Sequence, residues 1–183
     1  MTTARERMIA GESYDPHDAE LVALRQHAHG LCRDLDPTPD VPSAARRMIL
    51  DALFAAANGV YIQPPFFCDY GFNIRFGPGC YLNVNCVLLD VCAIDVGARV
   101  LFGPAAQVYT ATHPLDAIAR RTVEHGAPVR IGDDVWIGGG AIICPGVTIG
   151  ARTVIGAGAV VVRDVPDDVL AVGNPCRVVR TLR

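Results

Sequence analysis

Apolar positions change period near residue 60. Before it they recur every three to four residues; after it they recur every six. Asp18 can cap a helix whose stripe is Leu21, Leu24, Ala28 and Leu31. The run Asp36-Pro37-Thr38-Pro39-Asp40 breaks that helix. Ser43 can cap a second one with Met48, Ile49, Ala52, Leu53 and Ala56 on one side, and Asn58-Gly59 is expected to stop it. The clearest six-residue register is Ile131, Ile137, Ile143, Ile149, Ile155 and Val161. Glycine follows at Gly132, Gly138, Gly150 and Gly156. A small or β-branched residue holds the fourth place after each aliphatic: Val135, Ala141, Val147, Thr153, Ala159. Upstream, Phe76, Leu82, Leu88 and Ile94 keep the step. The phase then slips by two, and Val96, Phe102 and Val108 resume it.

A six-residue period predicts short strands joined by tight corners, three to a coil of 18 residues. The aliphatic points inward, and the glycine after it turns the corner at positive φ. One coil cannot bury its own face, so about five must stack over residues 60–165. The predicted fold is mainly β: a parallel β-helix of hexapeptide repeats, residues 60–183, behind a helical segment, residues 1–59. Residues 112–128 break the repeat and carry His113 and His125. A long excursion from a compact repeat is usually functional.

Composition narrows the chemistry. The 16 basic side chains are all arginine, which excludes mechanisms that need a lysine, including Schiff-base chemistry and a Walker-type phosphate loop. A formal net charge of −3 gives no bulk attraction for nucleic acid. Residues 1–15 are charged and lack the apolar h-region of a secretory leader, so none is expected, and no apolar run is long enough for a membrane span. The seven cysteines include no CxxC pair, and together these features suggest a reduced, cytoplasmic chain. Cys80, Cys86 and Cys92 are spaced by six rather than at metal-ligand spacing, and read as small buried filler with no metal.

Four segments carry a specific likeness: Tyr109-Thr110-Ala111-Thr112-His113-Pro114, Val135-Trp136-Ile137-Gly138-Gly139, Gly173-Asn174-Pro175-Cys176-Arg177 and the N-terminal Met8-Ile9-Ala10-Gly11-Glu12. With the repeats and Cys68-Asp69-Tyr70-Gly71, the chain resembles the sugar O-acetyltransferases of the hexapeptide-repeat family, which include the maltose and galactoside O-acetyltransferases. The resemblance implies a left-handed β-helix, a homotrimer with active sites at subunit interfaces, and acetyl transfer from acetyl-CoA to a sugar hydroxyl.

It also implies roles for particular residues. His113 matches the general base, whose imidazole suits proton transfer near neutral pH. Glu124 either orients His113 or is a solvated loop carboxylate. Asn83 matches a substrate-fixing amide, while Asn85 suits a left-handed corner. Arg25, Asp69, Tyr81 and Asp90 match acceptor contacts, and Gly139 matches the oxyanion position through its backbone N–H. Trp136 either packs along the pantetheine arm or is a plain coil-surface aromatic. Arg163, Arg177 and Arg180, with Arg183 beyond them, are the cations for the CoA phosphates in the C-terminal segment 165–183. Arg163 stands where relatives commonly carry lysine. Three alternatives stay in view. An antibiotic or other xenobiotic acetyltransferase would share fold and base, and a solenoid can serve as a non-catalytic scaffold. A zinc carbonic anhydrase would need three converging imidazoles, and only His113 and His125 lie in or beside the repeat.

Overall fold

The computed structural model describes residues 2–38 and 41–182. Pro39, Asp40 and Arg183 therefore lie outside the described residues. Helices occupy Ala4–Ile9 (α1), Ala19–Leu35 (α2) and Ala44–Leu53 (α3). Asp18 caps α2 by accepting from Glu20 N–H, and Ser43 caps α3 by accepting from Arg46 N–H. Helix α1 was not foreseen, although Thr3 and Glu6 form a reciprocal capping box there.

Two expectations for α3 are corrected. Met48 is 72% exposed, and the buried stripe is Arg46, Leu50 and Leu53. The reason is that α3 lies across the open end of the solenoid. Arg46 reaches the Ile62 carbonyl there, and Phe54, just past the helix, packs edge-on against Phe66 and Phe76. The helix also ends earlier than Asn58-Gly59, at Phe54, whose backbone is extended. Asn58 and Gly59 instead make a left-handed turn into the first strand, at φ 45° and 74°.

From Tyr61 the chain winds into a left-handed parallel β-helix with three sheets as its sides. The first sheet stacks Tyr61–Ile62, Tyr81–Leu82, Leu101–Phe102, Trp136–Ile137, Val154–Ile155 and Val169–Val172, and is closed by the antiparallel strand Arg177–Thr181. The second sheet holds Phe66–Cys68, Cys86–Leu89, Gln107–Tyr109, Ile142–Ile143 and Val160–Val161. The third holds Ile74–Phe76, Ile94–Val96, Val129–Ile131 and Thr148–Ile149. Six parallel strands in the first sheet delimit five complete coils. The predicted inward series, Ile131 through Val161, is at most 3% exposed, and its small fourth-place residues are buried beneath it. Cys80, Cys86 and Cys92 are buried too; their thiols donate to the carbonyls of Gly97, Gly103 and Met8.

The role assigned to the glycines is corrected. Positive φ belongs to the third residue after each aliphatic, as at Asn85, Asp134, Gly140 and Arg152. The glycine directly after the aliphatic is needed for proximity. A Cβ on Gly138 would come within 2.4 Å of Ala157 N on the next coil.

The phase slip also has a structural origin. Tyr61 pairs with Tyr81 and Tyr81 with Leu101, so the first two coils take 20 residues rather than 18. The surplus sits wholly in the corner between the second and third sheets. Cys68 to Phe76 and Leu88 to Val96 span eight residues there, where Ile143 to Ile149 spans six. The third coil sends out its excursion, residues 112–128, from the same corner. Ala111–Thr112 and His125–Gly126 pair antiparallel at its neck.

Candidate active site

The enlarged corner holds a cleft of about 570 Å³, whose lining includes Arg25, Asp69, Tyr70, His113, Arg121 and Glu124. Its size lies in the range of small-molecule pockets. The first coil brings Asp69 and Tyr70, the second Leu89 and Val91, the third His113 and Glu124 at the two feet of the excursion, and α2 brings Arg25. A small second core of Met8, Tyr14, Leu21, Tyr70, Val91 and Cys92 welds the N-terminal segment to this corner.

His113 is half exposed, and its Nε2 lies 3.3 Å from Glu124 Oε1. The other carboxylate oxygen, Oε2, accepts a 2.6 Å hydrogen bond from the Tyr14 hydroxyl. Glu124 is therefore held between two partners rather than being a freely solvated loop carboxylate. Burial, reinforced by the Glu124 hydrogen bond, pushes the Tyr14 phenol far above its ordinary range, so it stays a donor at working pH.

Arg25 donates to the Tyr70 hydroxyl at 2.6 Å and to the Pro16 carbonyl at 2.7 Å, which fixes its guanidinium over the cleft. Burial raises Asp69 to about 6; Arg25 pulls against that rise and the Glu124 charge adds to it. Asp90 does not line the cleft. It is fully buried, and its carboxylate accepts from the backbone N–H groups of Tyr70 at 2.8 Å and Asn73 at 3.3 Å. Burial lifts it to about 7 against the pull of those amides. Its visible work in this chain is to pin the eight-residue corner above it, which sets the position of Asp69.

The remaining candidates lie elsewhere on the prism. Tyr81 stacks on Tyr61 with ring centroids 5.8 Å apart, and belongs to the first sheet. Asn83 and Gly139 sit at the corner between the first and second sheets. Asn83 Oδ1 accepts from Val84 N–H, and a Cβ on Gly139 would meet Pro104 O at 3.1 Å. Asn85 takes the left-handed corner position, at φ 61°. Trp136 is 54% exposed, on an outward ladder that runs from Tyr81 through Leu101, Trp136, Val154 and Leu170 to Arg180. At about 4.8 Å per strand, Trp136 and Arg180 lie roughly 14 Å apart along that face. Arg163 and Arg177 line a separate small cleft near the C-terminus. The single chain thus gathers His113, Glu124, Asp69 and Arg25 at one corner, and Asn83, Gly139, Tyr81 and Trp136 at or beside another. Among the described residues no group of three or more His, Cys, Asp or Glu side chains is placed to hold a metal.

Residues 7–59 match the maltose acetyltransferase hexapeptide capping motif, and residues 128–163 match six bacterial transferase hexapeptide repeats. A maltose O-acetyltransferase from Clostridium difficile superposes with a TM-score of 0.96 at 44% identity, over 99% of this chain and 98% of that one. The chain belongs to the hexapeptide-repeat acetyltransferase family. A second family member, a hexapeptide-repeat acetyltransferase from Vibrio cholerae complexed with acetyl coenzyme A, superposes with a TM-score of 0.91 at 41% identity, over 99% of both chains. Nodulation protein L of Rhizobium leguminosarum is 50% identical over 95% of this chain and 93% of its own length.

Two partnerships at this corner leave no sign in the sequence. Tyr70 anchors Arg25 and Tyr14 anchors Glu124; each partnership crosses tens of residues and leaves no local pattern. The phase slip was the available signal, because it marks the corner that the cleft occupies.

Proposed function

We propose that this acetyltransferase moves an acetyl group from acetyl-CoA to a hydroxyl of a maltose- or glucose-like sugar, with His113 as general base. The observation that carries the reading is the His113–Glu124 pair opening onto a cleft furnished with Asp69 and Arg25. With the proton on Nε2 facing Glu124, Nδ1 is the nitrogen that accepts the sugar proton. The sugar oxygen attacks the thioester carbonyl as His113 takes its proton. The tetrahedral oxyanion is held by the Gly139 N–H, and collapse expels the CoA thiolate, which recovers the proton from His113. Asp69 accepts from, and Arg25 donates to, the remaining sugar hydroxyls. The capping motif and the likeness to a maltose O-acetyltransferase support the sugar class.

The division of candidates between two corners supports a homotrimer, in which the His113 corner of one subunit meets the Asn83 and Gly139 corner of its neighbour. Tyr81 and Asn83 would then reach the acceptor from across the interface. Acetyl-CoA suits the outward ladder: the pantetheine arm lies along Trp136, and Arg180 at its far end meets phosphate, with Arg163 and Arg177 beyond. Asp90 acts on the acceptor through the Asp69 corner it pins. A cytoplasmic setting fits the absence, among the described residues, of any helix long and apolar enough to cross a membrane.

The test is thiol release from acetyl-CoA against a panel of mono- and disaccharides and hydroxylated antibiotics. Release with sugars, reduced by roughly 10²–10⁴ in His113→Ala, is the expected result. Release with antibiotics alone would move the acceptor to the xenobiotic class, and no release with any acceptor would end the enzyme reading.

A further inference from the structure

The N-terminal segment is tied to Glu124, the carboxylate beside His113, through Tyr14. Tyr14 is 1% exposed and does not line the cleft, so it touches no substrate. It is tied to Glu124 twice. Their backbones exchange a pair of hydrogen bonds, Tyr14 N–H to Glu124 O at 3.2 Å and Glu124 N–H to Tyr14 O at 3.1 Å, and the phenol donates to Oε2 at 2.6 Å. The backbone pair holds the chain of Glu124 in place but leaves its side chain free to rotate. The phenol removes that freedom: with Oε2 held, Oε1 is the oxygen that faces His113. A hydrogen bond to an ionised acceptor is among the stronger kinds, and its donor, the Tyr14 phenol, is buried.

We propose that Tyr14 is a positioning residue for the acetyl transfer, orienting Glu124 so that it sets the ring and tautomer of His113. The proposal rests on His113 being the base. It gives the N-terminal segment a part in the reaction: the residues between α1 and α2 carry a buried hydroxyl to the foot of the excursion, 110 residues later in the chain.

The experiment is a double-mutant cycle of Tyr14→Phe and Glu124→Gln, read as kcat and KM for acetyl-CoA and sugar, with His113→Ala alongside. Phenylalanine keeps the ring in its core and both backbone bonds. Tyr14→Phe should lower kcat by on the order of tenfold, with both KM values within about twofold of wild type. In the Glu124→Gln background the same substitution should have almost no further effect on kcat, because an amide, however Tyr14 orients it, no longer gives the His113 Nε2–H a charged acceptor. A purely structural tyrosine would instead lower kcat by the same factor in both backgrounds, which overturns the proposal. So does full kcat in Tyr14→Phe, or full kcat in Glu124→Gln while His113→Ala is inactive. Full kcat in His113→Ala would remove the base assignment itself and the proposal with it.

Discussion

Replacing Gly138 by alanine separates two explanations for the repeat's glycines. The added Cβ would lie 2.4 Å from Ala157 N, 2.7 Å from Gly156 C and 2.8 Å from Ala157 Cα. All three are backbone atoms, and Gly138 N–H donates to Ile155 O at 2.7 Å beside them, so no side chain can swing aside. Restoring ordinary contact means parting the coils by about 1 Å at this corner. Overpacking of this kind costs about 1–3 kcal/mol, and loss of the adjacent hydrogen bond adds about 1 kcal/mol. We therefore expect about 3 kcal/mol, a fall in Tm of roughly 6–12 °C for a chain of this size. Two residues on, Gly140 has φ +66° and open space where a Cβ would stand. There alanine meets only the left-handed backbone penalty, about 1 kcal/mol or roughly 2–4 °C. Asparagine should be milder still, since Asn85 and Asp134 already hold the equivalent positions. Thermal unfolding by far-ultraviolet circular dichroism, at one fixed protein concentration, measures all three. A Gly140→Ala loss equal to or larger than the Gly138→Ala loss would show that conformation, not coil spacing, selects these glycines.

Other consequences are direct to measure. Asp69, at about 6, lies above its unfolded value near 4, so folding takes up a proton; its contribution is fullest below pH 4 and is lost as pH rises through 6. Asp69→Asn should therefore gain on the order of 2 kcal/mol relative to wild type between pH 4.5 and pH 8 in denaturant titrations; an unchanged difference would contradict the burial argument. Arg180→Ala should raise KM for acetyl-CoA several-fold and leave KM for the sugar unchanged, and Arg163→Ala should do the same more weakly; equal effects on both substrates would argue against a phosphate role. Ser43→Ala should cost about 1 kcal/mol through loss of the α3 cap, read as a lower urea midpoint with catalytic constants unchanged.

The inward face of the solenoid was readable because alternation along a strand is a local property. Ile131 through Val161 needed no partner to be placed. The repeat shows where the glycines fall but not why: close approach depends on the next coil, 18 residues away, which a six-residue window does not contain. Met48 is exposed because α3 buries Arg46, Leu50 and Leu53 instead, with Arg46 donating to the Ile62 carbonyl, and a tertiary contact of that kind is not in the helix's own pattern. His113 is marked by its place at the start of the excursion and by the Tyr109–Pro114 segment, and Glu124 is left open between an orienting and a solvated role; Tyr14 is not marked at all, since nothing in its neighbourhood announces a partner 110 residues on. The two-residue slip was visible as an irregularity. Its meaning emerges only when Cys68, Leu88 and Val108 are seen to be stacked, so that two surpluses and one excursion fall at a single corner.

That corner behaves as a separate drawer in the molecule. Successive strands of the first sheet remain in step whether 18, 20 or 35 residues intervene between them. Residues can be added or removed there without disturbing the ladder that carries Trp136 and Arg180 or the corner that carries Asn83 and Gly139. On the proposed function, the part of the acceptor site that a subunit builds from Asp69, Arg25 and its excursion can vary without shifting the ladder proposed to hold the acyl donor. Libraries that vary Asp69, Leu89 and residues 114–123, with Asp90 and Asn73 kept to pin the corner, should explore new acceptors on that proposed donor side.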